Sequence, residues 1–183
     1  LWGLLGLALV TYLRCVVMPY VMWDDNVMIG ENQIIRQPFW EAMKLSFTRF
    51  YHGDYLPLTL MSFWLDLKLF GENAAAQHII NLALHLANVA LLYKLLMGLR
   101  LRSGVALLVA ALFAVHPVQA ESVYWVSERK GLLSMFCLLM AFWSSEKSLF
   151  AKQRKWLWNV GYAFFYLASF LAKATGVLLP LWL

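Results

Sequence analysis

Charge is what this chain has least of. Only 14% of its 183 residues are Asp, Glu, Lys or Arg, whereas 62% are hydrophobic and nine are Trp. A soluble domain of this size carries about 25% charged and about 45–50% apolar residues. One small core cannot absorb that excess, so lipid must solvate the remainder. The apolar residues also fall in long blocks divided by short charged punctuation. An ordinary soluble domain is thereby excluded.

Other shortages narrow the reading. The two cysteines, Cys15 and Cys137, lie in apolar surroundings; they say little about redox compartment, and no disulfide between them is expected. There is no repeat of fixed period, no low-complexity tract and no glycine-rich phosphate loop. The net charge of +5 does not imply a nucleic-acid partner, because no continuous basic face is present. The basic residues gather instead in two short loops, 94–102 and 147–155, the second accompanied by a single acid, Glu146. By the positive-inside rule both loops face the cytoplasm. No signal peptide is visible, and the chain opens and closes within apolar runs. The expectation is a single membrane domain, 1–183, that is a fragment lacking further spans or a soluble domain.

What is present reads as an all-α, polytopic transmembrane helical bundle. A first span covers Leu1 to about Leu13, with Arg14 marking its exit towards the headgroups. The most polar stretch, Trp23 to Asp54, lies outside the bilayer core, within an outer loop of about 22–56. There Phe39, Trp40, Met43, Phe47 and Phe50 recur at helical spacing opposite Glu41, Lys44, Thr48 and Arg49, which predicts an amphipathic surface helix with Pro38 suited to its start. Leu56 to Phe70 is too short for an easy crossing and contains Asp66 and Lys68, so it reads as re-entrant or interfacial. Clearer spans are Ala76–Met97, Gly104–Val115, Gly131–Ser145 and Trp156–Ala172, and another begins at Thr175. By alternation, the stretches 23–54 and 116–130, and Lys173, all face the side opposite the basic loops.

The unusual polar residues therefore share one side. Asp24 and Asp25 repel as adjacent carboxylates, so at least one is expected to have a partner or a raised pKa. They read either as a general base or divalent-cation ligand, or as a solvated acidic turn that stops the span. The segment from His116 to Lys130 is expected to continue as a helix after Pro117, with Glu121, Trp125 and Glu128 on one face. Its Arg129 and Lys130 suit a phosphate, the bland alternative being a headgroup-anchoring collar. Lys173 either snorkels to the headgroups or binds a lipid phosphate. His78, Asn81, His85 and Asn88, spaced by three, four and three residues, form one face of one helix. Inward packing is favoured there over a metal site, since one helix supplies two His and no carboxylate. The stretch 51–58 either shapes a substrate entrance or simply breaks a helix.

Taken in order, these motifs resemble one group. Trp23-Asp24-Asp25, Tyr55-Leu56-Pro57-Leu58-Thr59, His116-Pro117-Val118 with Glu121-Ser122-Val123, Glu128-Arg129-Lys130 and Leu171-Ala172-Lys173 look like the N-terminal membrane region of the transmembrane and tetratricopeptide-repeat proteins, in particular bacterial relatives. More broadly they are similar to GT-C glycosyltransferases. The resemblance implies an inverting hexosyltransferase with a polyprenyl-phosphate sugar donor, a protein or glycan acceptor, and reaction on the non-cytoplasmic face, periplasmic in a bacterial inner membrane. It implies the catalytic base at Asp24 or Asp25, with Asp25 slightly favoured, donor phosphate on Arg129, Lys130 and Lys173, and His116, Glu121 and Glu128 as further site residues. A divalent cation is an open option and no other cofactor is implied. The chain departs from the family in lacking the tetratricopeptide repeats, and Ala174 stands where many relatives carry Glu or Pro. The competing class is a non-catalytic membrane scaffold or transporter. A transporter needs polar groups near the midplane of several helices, and a scaffold has no need of a carboxylate pair and a basic cluster on the same face.

Overall fold

A computed structural model describes residues 1–22, 24–151 and 153–174. Trp23 and the span expected from Thr175 lie outside the described residues. Among the described residues the chain is all helix, with no strand beyond one isolated bridge between Tyr51 and Asp54. The helices are α1 (Trp2–Tyr12), α2 (Phe39–Thr48), α3 (Pro57–Phe70), α4 (Ala74–Gly98), α5 (Ser103–Val115), α6 (Val118–Tyr124), α7 (Arg129–Phe150) and α8 (Lys155–Ala172). A 3₁₀ turn, Leu13–Val17, prolongs α1, and a π-helical turn spans Asn26–Gly30.

Local chemistry sets the ends. Asn73 caps α4 by accepting from the Ala76 N–H at 3.2 Å. Pro57 opens α3, where its missing N–H costs nothing, and Gly71 closes it at φ +63°, a conformation that favours glycine. α5 stops at His116, held extended by the following Pro117. Among the described residues α4 is the one helix long and apolar enough by itself to cross a membrane; α5 and α6 together also suffice, through a 57° bend at that proline.

The helix after Pro117 is shorter than expected. It ends at Tyr124, and Trp125 is extended at φ −92°, ψ 121°. Val126 is fully buried in the core beneath, and the Ser127 N–H is bonded to Asp25 rather than to the preceding turn. Glu121, Trp125 and Glu128 consequently do not share a helical face.

α4 and α7 run side by side in the same direction. Asn81 Nδ2 donates to the Trp125 carbonyl and Asn88 Nδ2 to that of Leu132, while Gly98 meets Glu146 at the far end. His85 Nε2 lies 3.0 Å from the Ala114 carbonyl, so the polar stripe of α4 turns inward to bond its neighbours. α8 returns antiparallel along α7 through small residues: a Cβ at Gly161 would sit 3.3 Å from Ser144 Oγ, and Ser148 bonds Asn159 at 2.5 Å. Cys15 and Cys137 are both buried and free.

Polar side chains enter the interior beside apolar ones, while large apolar side chains remain outside. Gln77, His78, Asn81, His85, Asn88 and Arg129 are buried, whereas Trp2 is 85% and Val17 82% exposed. α2 follows the same rule. It turns Ala42 and Ser46 inward and leaves Trp40 74% exposed, with Phe39 and Phe47 also outward.

Candidate functional site

The end of the bundle opposite the basic loops gathers residues far apart in sequence. Its foundation is an apolar cluster of Met28, Ile29, Ile35, Leu56, Leu60, Phe63 and Val126, which ties the 20–35 stretch to α3 and to the linker before α7.

Within this foundation sits Arg129, 1% exposed. Its Nε donates to Asn81 Oδ1 at 2.8 Å, Nη2 donates to Gln77 Oε1 at 2.6 Å, and Nη1 pairs with the Asp66 carboxylate. The guanidinium also covers the Phe63 ring, 4.6 Å from its centroid. Burial pulls both partners towards their neutral forms, the Asp66 carboxyl upward and the Arg129 guanidinium downward, and their mutual attraction opposes it. Neither charge is tolerable there alone.

Asp25 is buried as well, 1% exposed. Its Oδ1 accepts from the Ser127 N–H at 2.8 Å and its Oδ2 from the Val21 N–H at 3.0 Å. One carboxylate thus staples the loop after α1 to the linker entering α7, across 102 residues of chain. Asp24, its neighbour, is exposed. The adjacent pair is therefore split into a buried clamp and an exposed carboxylate.

Above the buried layer lies an ion network. Glu128 takes Lys130 Nζ at 3.4 Å on one oxygen and Lys173 Nζ at 3.2 Å on the other, and Lys130 also reaches Asp54 at 3.5 Å. Lys173, just past the C-terminus of α8, leans over the first turn of α7, 3.9 Å from where a Cβ at Gly131 would lie. Each ammonium carries three N–H donors, and Lys173 keeps 32% of its side chain exposed. The N-terminal end of the 22-residue α7 adds its partial positive charge at the same place. Chemically this rim can receive an anion beside an accessible carboxylate.

The sequence-derived candidates thus separate. Glu128, Lys130 and Lys173 come together, and Asp25 binds the segment that carries them. Arg129 lies beneath, its donors turned to protein groups. His116 and Glu121 are both exposed on the α5–α6 bend. His116 accepts the Val118 N–H at 3.2 Å and its carbonyl takes the Tyr12 hydroxyl; neither residue joins the Glu128 ion pairs among the described residues. Asp54 and Asp66 were not among the candidates. An acid inside an otherwise apolar helix signals a partner for Asp66, but sequence does not say which cation. Among the described residues no three His, Cys, Asp or Glu groups are placed to hold a metal ion.

No family model matches the chain, and no solved structure matches it. Curated proteins do. It is 31% identical over 192 residues to protein O-mannosyl-transferase Tmtc3 of Drosophila melanogaster, covering 86% of this chain and 20% of the relative. It is 31% identical over 153 residues to protein O-mannosyl-transferase F38B6.6 of Caenorhabditis elegans, covering 75% of this chain and 21% of the relative. It is 37% identical over 99 residues to protein O-mannosyl-transferase TMTC1 of Mus musculus, covering 54% of this chain and 10% of the relative. The chain spans about a fifth or less of the length of these relatives. Over most of its own length, it is thus similar in sequence to proteins named as TMTC-type protein O-mannosyl-transferases.

Proposed function

We propose that the chain belongs to this mannosyltransferase group and is part of a multi-pass, GT-C type membrane glycosyltransferase, its active face on the non-cytoplasmic side, periplasmic if the source is bacterial. It transfers a hexose, with inversion, from a polyprenyl-phosphate donor to an acceptor hydroxyl on a protein or glycan. The observation that carries this reading is the rim: Lys130 and Lys173 converge on Glu128, and the Asp25 staple holds the loop bearing the exposed Asp24 against the same segment.

The donor's tail stays in lipid while its phosphate meets Lys173 and Lys130 above the N-terminus of α7. The acceptor hydroxyl loses its proton to Asp24, its oxygen attacks the anomeric carbon, and the lipid phosphate leaves with the bonding electrons. The protein needs only to align the attack and neutralise the departing charge. Asp24 is the better base because it is open to an acceptor, whereas both oxygens of Asp25 are held by backbone amides. Arg129 positions this segment from below. The exposed aromatic face of α2 rests in the outer leaflet beside the site.

The test is sugar transfer by purified full-length protein from synthetic polyprenyl-phosphate mannose to an acceptor protein, with polyprenyl-phosphate glucose as the competing donor. Transfer is expected with a polyprenyl-phosphate donor. Absence of transfer from every such donor, by folded protein, contradicts the reading and favours the scaffold.

A further inference from the structure

The other end of the bundle holds a buried charge that the proposed reaction does not use. Glu146, near the end of α7, is 7% exposed, yet its Oε2 has no hydrogen-bond partner among the described residues. Oε1 forms an ion pair with Lys147 Nζ at 3.5 Å, and that lysine keeps 41% of its side chain exposed. The carboxylate lies flat on the last turn of α4. A Cβ at Gly98 would come within 2.5 Å of both its oxygens, so glycine is what lets it lie there.

That position is electrostatically unfavourable for an anion. The C-terminal end of a helix carries partial negative charge, and α4 is 25 residues long. A buried carboxylate oxygen without a hydrogen-bond partner at a helix C-terminus, here Oε2, suits a further cation that also donates a hydrogen bond.

The surroundings define the rest of the ligand. Glu146 lines a cavity of about 310 Å³ with Ser145, Arg100, Leu95, Phe142 and Leu149. Arg100, in the left-handed conformation at φ +60°, lies over the Phe150 ring and makes no ion pair among the described residues. Leu149 and Phe150 continue outward as exposed apolar surface, 73% and 62% exposed. One pocket thus offers a site for an ammonium, a site for a phosphate and a greasy wall leading away from both.

We propose that this cavity binds the headgroup of a phospholipid bearing a primary amine. Its ammonium meets Glu146 Oε2, its phosphate faces Arg100, and its acyl chains run along Leu149 and Phe150. A quaternary amine has no N–H to give the carboxylate, and a phosphoglycerol headgroup carries no cation. The proposal rests on the membrane-embedded reading above, with this end at the leaflet that carries the basic loops.

The full-length protein in detergent, supplied with phosphatidylethanolamine, phosphatidylcholine or phosphatidylglycerol, is examined by native mass spectrometry beside Glu146→Gln and Gly98→Ala. Glu146→Gln preserves size and shape, so it tests the charge without disturbing the fold. Phosphatidylethanolamine is expected to be retained over the other two, with retention falling about tenfold in Glu146→Gln, the loss of one charge-assisted hydrogen bond. Gly98→Ala, which displaces the carboxylate, is expected to fall likewise. Equal retention by Glu146→Gln, equal retention of phosphatidylcholine, or equal binding of water-soluble glycerophosphoethanolamine overturns the assignment. Alkaline carbonate extraction of the same protein from membranes separates the two layers of the argument. Protein that stays in the membrane yet retains no amine lipid overturns the site alone, whereas protein that extracts overturns the membrane reading and the site with it.

Discussion

At the polar end of the bundle, two layers are built from chain neighbours with opposite fates. Asp25 and Arg129 are each 1% exposed and have their polar atoms turned to protein groups. Asp24, one residue from Asp25, is exposed, and Lys130, one residue from Arg129, pairs with Glu128. The lower layer ties distant segments together, and the upper one holds the ion pairs. Charge at a site is therefore not evidence of contact with substrate.

Substitutions in the two layers should separate stability from turnover. The largest loss of stability is expected for Arg129→Met, which leaves Asp66 buried without its cation and costs about 3–5 kcal/mol. A thermal shift assay in detergent should show it, and a melting point equal to wild type would dismantle the lower layer as described. Asp25→Asn comes next. Its one remaining carbonyl oxygen can accept from only one of the two backbone N–H groups, and its new NH₂ faces the other donor, so about 1–3 kcal/mol should be lost with partial loss of transfer.

Lys173 inverts that pattern. It keeps 32% of its side chain exposed, and the ion pair of such a group contributes about 0–1 kcal/mol. Lys173→Ala should barely move the melting point while raising the donor KM. A fall in stability as large as that of Arg129→Met would place Lys173 in the lower layer instead. The smallest effect is expected on α2, where Trp40→Ser should leave fold and melting point intact and only weaken attachment of the outer loop to vesicles, measured by fluorescence quenching with brominated lipid.

Much of the coarse design is legible in the sequence. The span expected at Ala76–Met97 is the helix Ala74–Gly98, because an apolar run and a capping Asn mark it. The stripe from His78 to Asn88 faces inward because its spacing follows the helix and its polar groups need partners. The split of Asp24 from Asp25 is not legible. It depends on a π-helical turn at Asn26–Gly30 and on an amide 102 residues away. Arg129 and Lys130 divide for a similar reason, since the extended linker after Tyr124 decides which basic residue enters the core. Asp66 announces a need for a cation, and only the packing of α3 on α4 and α7 identifies it. The bend at Pro117 is signalled by the proline, but its 57° is not.

In the proposed reaction Asp24 takes the acceptor proton while Asp25 holds the site together. Single-turnover sugar transfer by full-length Asp24→Asn and Asp25→Asn, each beside its melting point, separates the two roles. Asp24→Asn is expected to lose about 10²-fold or more in rate, as for removal of a general base, at unchanged stability. Asp25→Asn is expected to melt lower and keep measurable transfer. Full transfer by Asp24→Asn, with transfer abolished in a stable Asp25→Asn, would contradict the account.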